Sequence, residues 1–191
     1  MVGNTSNYTK IDILRCFLRI DKATGRKELA KELGMGEGTV RTMLDLLKSH
    51  KLLDSTKHGH FLSKKGSTAL SEIYGCISQP KIIKGWELYP EYIKSGIVIK
   101  NASAIKSPYK LRDMAVKTGS EGAVILKFDD KLYAPESEYD ADYSGLERHF
   151  DLKKNDVLAV AFSGEKSKAE EGALAIAVEL SVTLKRFISQ F

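Results

Sequence analysis

Two cysteines, four prolines, four histidines and one tryptophan in 191 residues already exclude several classes of protein. Cys16 and Cys76 lie far apart in apolar helical contexts. They read as small buried hydrophobes in a reducing compartment, not as a disulfide or a metal pair. His58 and His60 have no Cys or Asp partner at zinc-ligand spacing, and His149 stands alone in the second half of the chain, so neither a metal site nor a Ser/His/Asp or Cys/His nucleophile has local support. There is no Gly-x-x-x-x-Gly-Lys-Ser/Thr loop and no Gly-x-Gly-x-x-Gly turn after a strand, which removes the common nucleotide signatures. Long hydrophobic runs are missing too. The longest, Ala173 to Val182, is broken by Glu179 and Ser181 and is too short to span a bilayer. Met1 to Lys10 is polar, without the apolar core of a signal peptide. The expectation is a cytoplasmic protein without membrane partner, cofactor, metal or catalytic residue, whose 42% hydrophobic content fills about two compact domains.

What is present is concentrated between residues 26 and 62. Leu29, Ala30 and Leu33 share a helix face that stops at Gly34, a residue type that accepts the left-handed conformation ending a helix. Val40, Met43, Leu44 and Leu47 follow at i, i+3, i+4 and i+7, an inward stripe on a second helix. The opposite face of that helix holds Glu37, Thr39, Arg41, Thr42, Asp45 and Lys48. Arg41 and Thr42 can hydrogen-bond base edges or phosphates, and Lys48 can reach a backbone oxygen. Asp45 and Glu37 oppose this, since each repels phosphate unless it accepts from a base amino group. Lys51-Leu52-Leu53 reads as a strand, and Asp54–Thr56 and Phe61–Ser63 as a strand pair turning at Gly59. Helix, glycine turn, helix and hairpin is the order in which a winged helix-turn-helix offers a helix to the major groove.

On these residues, Arg26 to Leu47 and the Lys57-His58-Gly59-His60 tip, the chain resembles the winged-helix transcriptional regulators over roughly residues 8 to 78. The resemblance implies double-stranded DNA as partner, with Lys57, His58, Lys64 and Lys65 meeting phosphates. It leaves open a protein-interaction module that never touches DNA. Charge follows the same division. Residues 1–80 carry 13 Lys plus Arg against 8 Asp plus Glu, and residues 81–191 carry 17 of each, so the whole excess of +5 lies with the candidate reader.

Around it, Thr9 and Asp12 form a capping-box pattern for a helix to Ile20, and Ser63–Ile77 reads as a further helix, of a kind that in related regulators packs between protomers. Gln79-Pro80 ends it, placing a boundary at 78–84. Beyond lie a strand at Gly96–Lys100, a helix from Ser107-Pro108 to Gly119, a strand at Ala123–Phe128 returning at Leu132–Ala134, a helical turn at Ser144–Phe150, and an interior strand at Val157–Phe162. One long final helix carries a second capping pattern, Ser167 and Glu170. Its apolar face is broad enough for burial on two sides or for a subunit contact. Leu111–Gly119 with Gly122–Leu126 resembles an archaeal group of predicted regulators in which a winged helix precedes an α/β domain. That resemblance covers nearly the whole chain and implies a regulator, without supplying a ligand or a catalytic residue.

Smaller candidate sites each have a plainer reading beside the functional one. Ser163–Ser167 could hold an anion at a helix N-terminus or be an ordinary helix start. Glu136, Glu138, Asp140 and Asp142 could gather a hard cation or lie solvated. Trp86, Tyr89 and Tyr92 could line a pocket or seal a junction. Arg112 with Asp113 is the candidate for a small anionic effector, or a surface ion pair. The chain is therefore expected to be α+β with two domains: an N-terminal winged helix-turn-helix over residues 1–80, and a C-terminal mixed α/β sandwich with a long terminal helix over residues 81–191, which senses an effector or builds a homodimer. An enzyme with an accessory winged helix is the rival reading.

Overall fold

The computed structural model describes residues 7–20, 22–102, 105, 107–135, 137 and 141–191. The chain divides into two compact units, residues up to Ile73 with Ile188–Phe191, and Tyr74–Phe187. The division falls inside a helix, earlier than the expected 78–84. Its cause is backbone pairing: Ser78 N–H donates to the Val98 carbonyl (2.9 Å) and Lys100 N–H to that of Cys76 (2.8 Å), which draws residues 76–78 into the second unit.

The first unit contains α1 (Lys10–Leu18), α2 (Arg26–Leu33), α3 (Glu37–Ser49) and a hairpin of β1 (Leu53–Thr56) and β2 (Gly59–Leu62), and α4 (Lys64–Cys76) begins in it. The capping box at α1 is present, with Asp12 N–H donating to Thr9 Oγ1 at 3.2 Å and Thr9 N–H to Asp12 Oδ2 at 2.8 Å. The same carboxylate has a second use. Arg15, 1% exposed, donates to Asp12 Oδ1 at 3.0 Å and to the Leu33 carbonyl at 3.3 Å, tying α1 to the last turn of α2. A buried ion pair of this kind holds geometry more than it adds stability. Gly34 ends α2 at φ 68°, and Met35 N–H closes the turn on the Ala30 carbonyl at 3.0 Å. Val40, Met43, Leu44 and Leu47 are buried with Leu14, Phe17, Leu29 and Leu33, forming one core under three helices.

Thr24 adds a one-residue third strand to the hairpin, exchanging backbone hydrogen bonds with His60 at 2.9 and 3.0 Å. A side chain at Gly59 (φ 131°) would stand 2.6 Å from the Thr24 carbonyl oxygen, so this approach requires glycine. Lys51-Leu52 is not strand, contrary to expectation. Lys51 turns left-handed at φ 59°, Ser63 Oγ donates to its carbonyl at 2.6 Å and Ser63 N–H to that of Leu52 at 3.0 Å. Those bonds pin Leu52 to the start of α4, and the strand begins at Leu53.

The second unit is a five-stranded sheet in the order β3 (Lys81–Ile83), β4 (Ile93–Ile99), β7 (Val157–Ser163), β5 (Gly122–Phe128), β6 (Leu132–Tyr133). Neighbouring strands are antiparallel throughout. β4 and β5 are therefore mutually parallel with β7 between them, and α5 (Pro108–Lys117) connects them as a split β-α-β unit. β7 is buried along its length, as its continuous apolar run requires at the centre of a sheet covered on both faces. One face, with Ile97, Ala159, Ala161, Ala123 and Ile125, lies under α5 and α7 (Lys166–Leu180). The other, with Val98, Leu126, Leu158 and Val160, is closed by Ile83, Leu132, Leu146 of α6 (Ser144–Glu147) and Phe150.

Three further expectations are corrected. Residues 81–83, for which no element was expected within the boundary at 78–84, form an edge strand; it follows Pro80, whose missing N–H suits an edge. The final helix breaks at Ser181, which is extended (φ −115°, ψ 118°). Its hydroxyl accepts from Leu184 N–H at 3.3 Å and starts α8 (Val182–Ser189). Ser167 does not cap α7. Glu165 is the N-cap, without a side-chain bond, and Glu170 is drawn inside at 3% exposure. A carboxylate at that cap argues against the anion reading for Ser163–Ser167. The broad apolar face of α7 is used inside the unit, against β4 and β7 on one side and α5 on the other.

Candidate nucleic-acid interface

The face of α3 opposite its core stripe is open. Arg41, Thr42, Asp45 and Lys48 are exposed and Thr39 is half-buried. Thr42 Oγ1 donates to the Gly38 carbonyl at 3.2 Å, leaving its lone pairs outward. Arg41 Nε and Asp45 Oδ2 are 3.8 Å apart with side chains 71% and 62% exposed. At that distance and exposure the pair holds neither group firmly, and such contacts contribute at most about 1 kcal/mol. Arg26 spans from α2 to the first turn of α3, its Nη2 3.3 Å from Glu37 Oε2. A cation thus stands beside Glu37, offsetting part of the repulsion that carboxylate would exert on phosphate.

Lys57 and His58 are exposed at the hairpin turn, where His58 N–H donates to Thr56 Oγ1 at 3.2 Å. Lys64 is exposed at the start of α4. Lys65 is used structurally. Its Nζ donates to the His50 carbonyl at 2.9 Å, at the C-cap of α3, where cations and donors are favoured. The residues from α3 thus share one helix face and Lys57 and His58 share the hairpin tip, while Lys65 is committed to the opposite end of α3.

His60 is the residue that sequence reasoning undervalued. Its backbone pairs with Thr24, and its side chain lies in the field of Lys48, Asp45 and Arg26. Burial first, then Lys48, holds its pKa below the ordinary 6.5, with Asp45 opposing and Arg26 adding to the depression. The imidazole is therefore neutral at pH 7 and packs the hairpin beside α3. A histidine alternating with an exposed one across a glycine turn was the only signal for it in the sequence.

In the second unit Arg112 and Asp113 are both exposed on α5. A cleft of about 280 Å³ is lined by Lys131, Leu132, Ala141, Asp142, Tyr143, Ser144 and Glu147, and includes neither. Glu147 Oε1 there accepts from Leu132 N–H at 2.8 Å, and hydrogen bonds from the Ser144 backbone and side chain hold the Asp142 carboxyl below its usual range. Glu136, Glu138 and Asp140 of the acidic run lie outside the described residues, and among the described residues no three His, Cys, Asp or Glu side chains gather as a metal cluster. Trp86 packs against the sheet core, and Tyr89 and Tyr92 stack on Phe162 with centroids 4.2 and 5.6 Å apart. All three make these contacts within the second unit. Among the described residues no helix is long and apolar enough to cross a membrane.

With this geometry in place, comparison with known proteins places both halves. Residues 10–68 match the family described as PH0730-like, N-terminal domain, and residues 92–180 match a domain of unknown function, DUF4443. The chain fits an archaeal group of this two-part plan. Among solved structures it is similar to the hypothetical protein PH0730 from Pyrococcus horikoshii OT3, with a TM-score of 0.78 and 26% identity over 94% of this chain and 99% of that one. No curated protein matches it.

Proposed function

We propose that the first unit is a winged helix-turn-helix that reads double-stranded DNA, and that the protein is a transcriptional regulator acting as a homodimer in the cytoplasm. In this reading α3 is the recognition helix, β1 and β2 with Thr24 are the wing, and the second unit senses or assembles without catalysing a reaction. The observation that carries it is α3 itself. Its four buried residues, all apolar, complete the core, yet Arg41, Thr42 and Lys48 stand exposed on the far side with no packing role. The basic excess of residues 1–80 supports the same surface. One such helix spans few base pairs, so specificity calls for two half-sites and two-fold symmetry.

The test is selection of genomic duplex fragments by the purified full chain. Enrichment of sites with two related half-sites is expected, and Arg41→Ala should lose that enrichment. Recovery of no fragment at low salt would refute DNA reading and leave the interaction-module alternative.

A further inference from the structure

The outer surface of α5 has a property that neither DNA reading nor the internal packing of the second unit uses. Pro108, Leu111 and Ala115 turn inward. Tyr109 and Val116 are 58% and 51% exposed, and Arg112 and Asp113 are exposed between them. These four residues fall at i, i+3, i+4 and i+7, one continuous helix stripe. Large apolar side chains flank two opposite charges, and Arg112 and Asp113, one residue apart, cannot face each other on the helix. Among the described residues neither has an ion-pair partner.

The order apolar, basic, acidic, apolar is self-complementary when read backwards. Laid antiparallel on a second copy of itself, with the two-fold axis passing between Arg112 and Asp113, the helix sets Tyr109 against Val116 of the other copy. It sets Arg112 against Asp113 of the other copy, and both pairings occur twice. A parallel alignment would instead oppose Arg112 to Arg112. A surface patch that meets itself with residue i on j and j on i is what a closed two-fold contact demands, and charge order fixes its register.

We propose that α5 is a two-fold contact between copies of this chain, held in register by reciprocal Arg112–Asp113 pairs between Tyr109 and Val116. The proposal stands on α5 alone and does not depend on DNA reading. One helix stripe covers much less than the roughly 1,200–2,000 Å² of a standard stable interface, so the contact is weak alone and sensitive to salt.

Charge reversal and mixing test it by sedimentation velocity on the full chain at about 200 µM, a concentration that populates a weak micromolar contact. The wild type should show dimer in exchange with monomer. Arg112→Asp makes the stripe all acidic and Asp113→Arg makes it all basic. Each should weaken self-association at least tenfold while melting like the wild type, since exposed substitutions disturb folding little. An equimolar mixture of the two should recover dimer, and the double reversal Arg112→Asp/Asp113→Arg should recover it within one chain. A monomeric wild type, a dimer indifferent to either reversal, or a mixture that stays monomeric would overturn the proposal. Indifference to Asp113→Arg with anion binding lost in Arg112→Asp would return Arg112 to the role of an effector site. Should one single variant fail to fold, loss of dimer in the other and its recovery in the double reversal still decide.

Discussion

The longest helices of the two units are put to opposite uses. Of the thirteen residues of α3, four are buried, all apolar and all on one side. Of the fifteen of α7, nine are buried, among them Glu170 and Glu171. α7 packs against β4 and β7 and against α5 beside it on the same sheet face, and few of its residues are left for anything outside its own unit. α3 satisfies the core with one stripe and leaves a charged face that the fold does not need. The contrast separates residues that hold the molecule together from residues available to a partner, and it places the candidate interface on the first kind of helix and the scaffold on the second.

The largest effects should come from breaking the buried sides. Leu47→Ala removes a fully buried side chain from the α3 stripe and should cost about 2–5 kcal/mol, read as a lower denaturation midpoint. In α7, a Cβ at Gly172 would collide with Ser120 Oγ and stand 2.9 Å from the Ala161 Cβ. Gly172→Ala should therefore destabilise by about 1–3 kcal/mol through overpacking, as a shift in the melting of the second unit. The outward side should respond in the opposite sense. Arg41→Ala should leave stability within about 0.5 kcal/mol while weakening a cognate DNA site by about 1–3 kcal/mol, and equal losses of both in parallel melting and binding measurements would erase the distinction drawn here.

The smallest effect is expected at the joint between hairpin and α3. The folded pKa of His60 is lowered, so the unfolded chain binds the proton more readily there. Its contribution to stability is thus full above about pH 6.5 and declines as pH falls toward the folded value. Denaturation midpoints measured from about pH 7.5 to about pH 5 should fall less for His60→Gln than for the wild type. An unchanged slope would mean the imidazole is not held neutral by its surroundings.

The sequence made the one-sided stripes legible because a 3.6-residue period is local: Val40 to Leu47 and the Thr9–Asp12 box stand where expected, and so does the interior run Val157–Phe162. The failures arose where long-range contacts override local pattern. Nothing in the local pattern marks Arg15 as buried; the enclosure comes from Asp12 and the Leu33 carbonyl. Thr24 is a strand of one residue, visible only through the close approach that Gly59 permits. The apolar period continues through Ser181, so the break between α7 and α8 leaves no gap in the pattern. The outward residues of α3 were legible as a group, yet the commitment of Lys65 to the end of α3 was not, because Lys65 and His50 are brought together by the turn at Lys51.

The central claim, that the exposed side of α3 and the hairpin tip meet DNA, is tested most directly by a salt titration of duplex affinity for the full chain, Arg41→Ala and Lys57→Ala. The account predicts log affinity falling linearly with log salt. Arg41→Ala should lose discrimination for the selected site, and Lys57→Ala should bind all sequences more weakly with the slope reduced by about one. Absence of binding at low salt, or affinities and slopes that neither substitution alters, would contradict it.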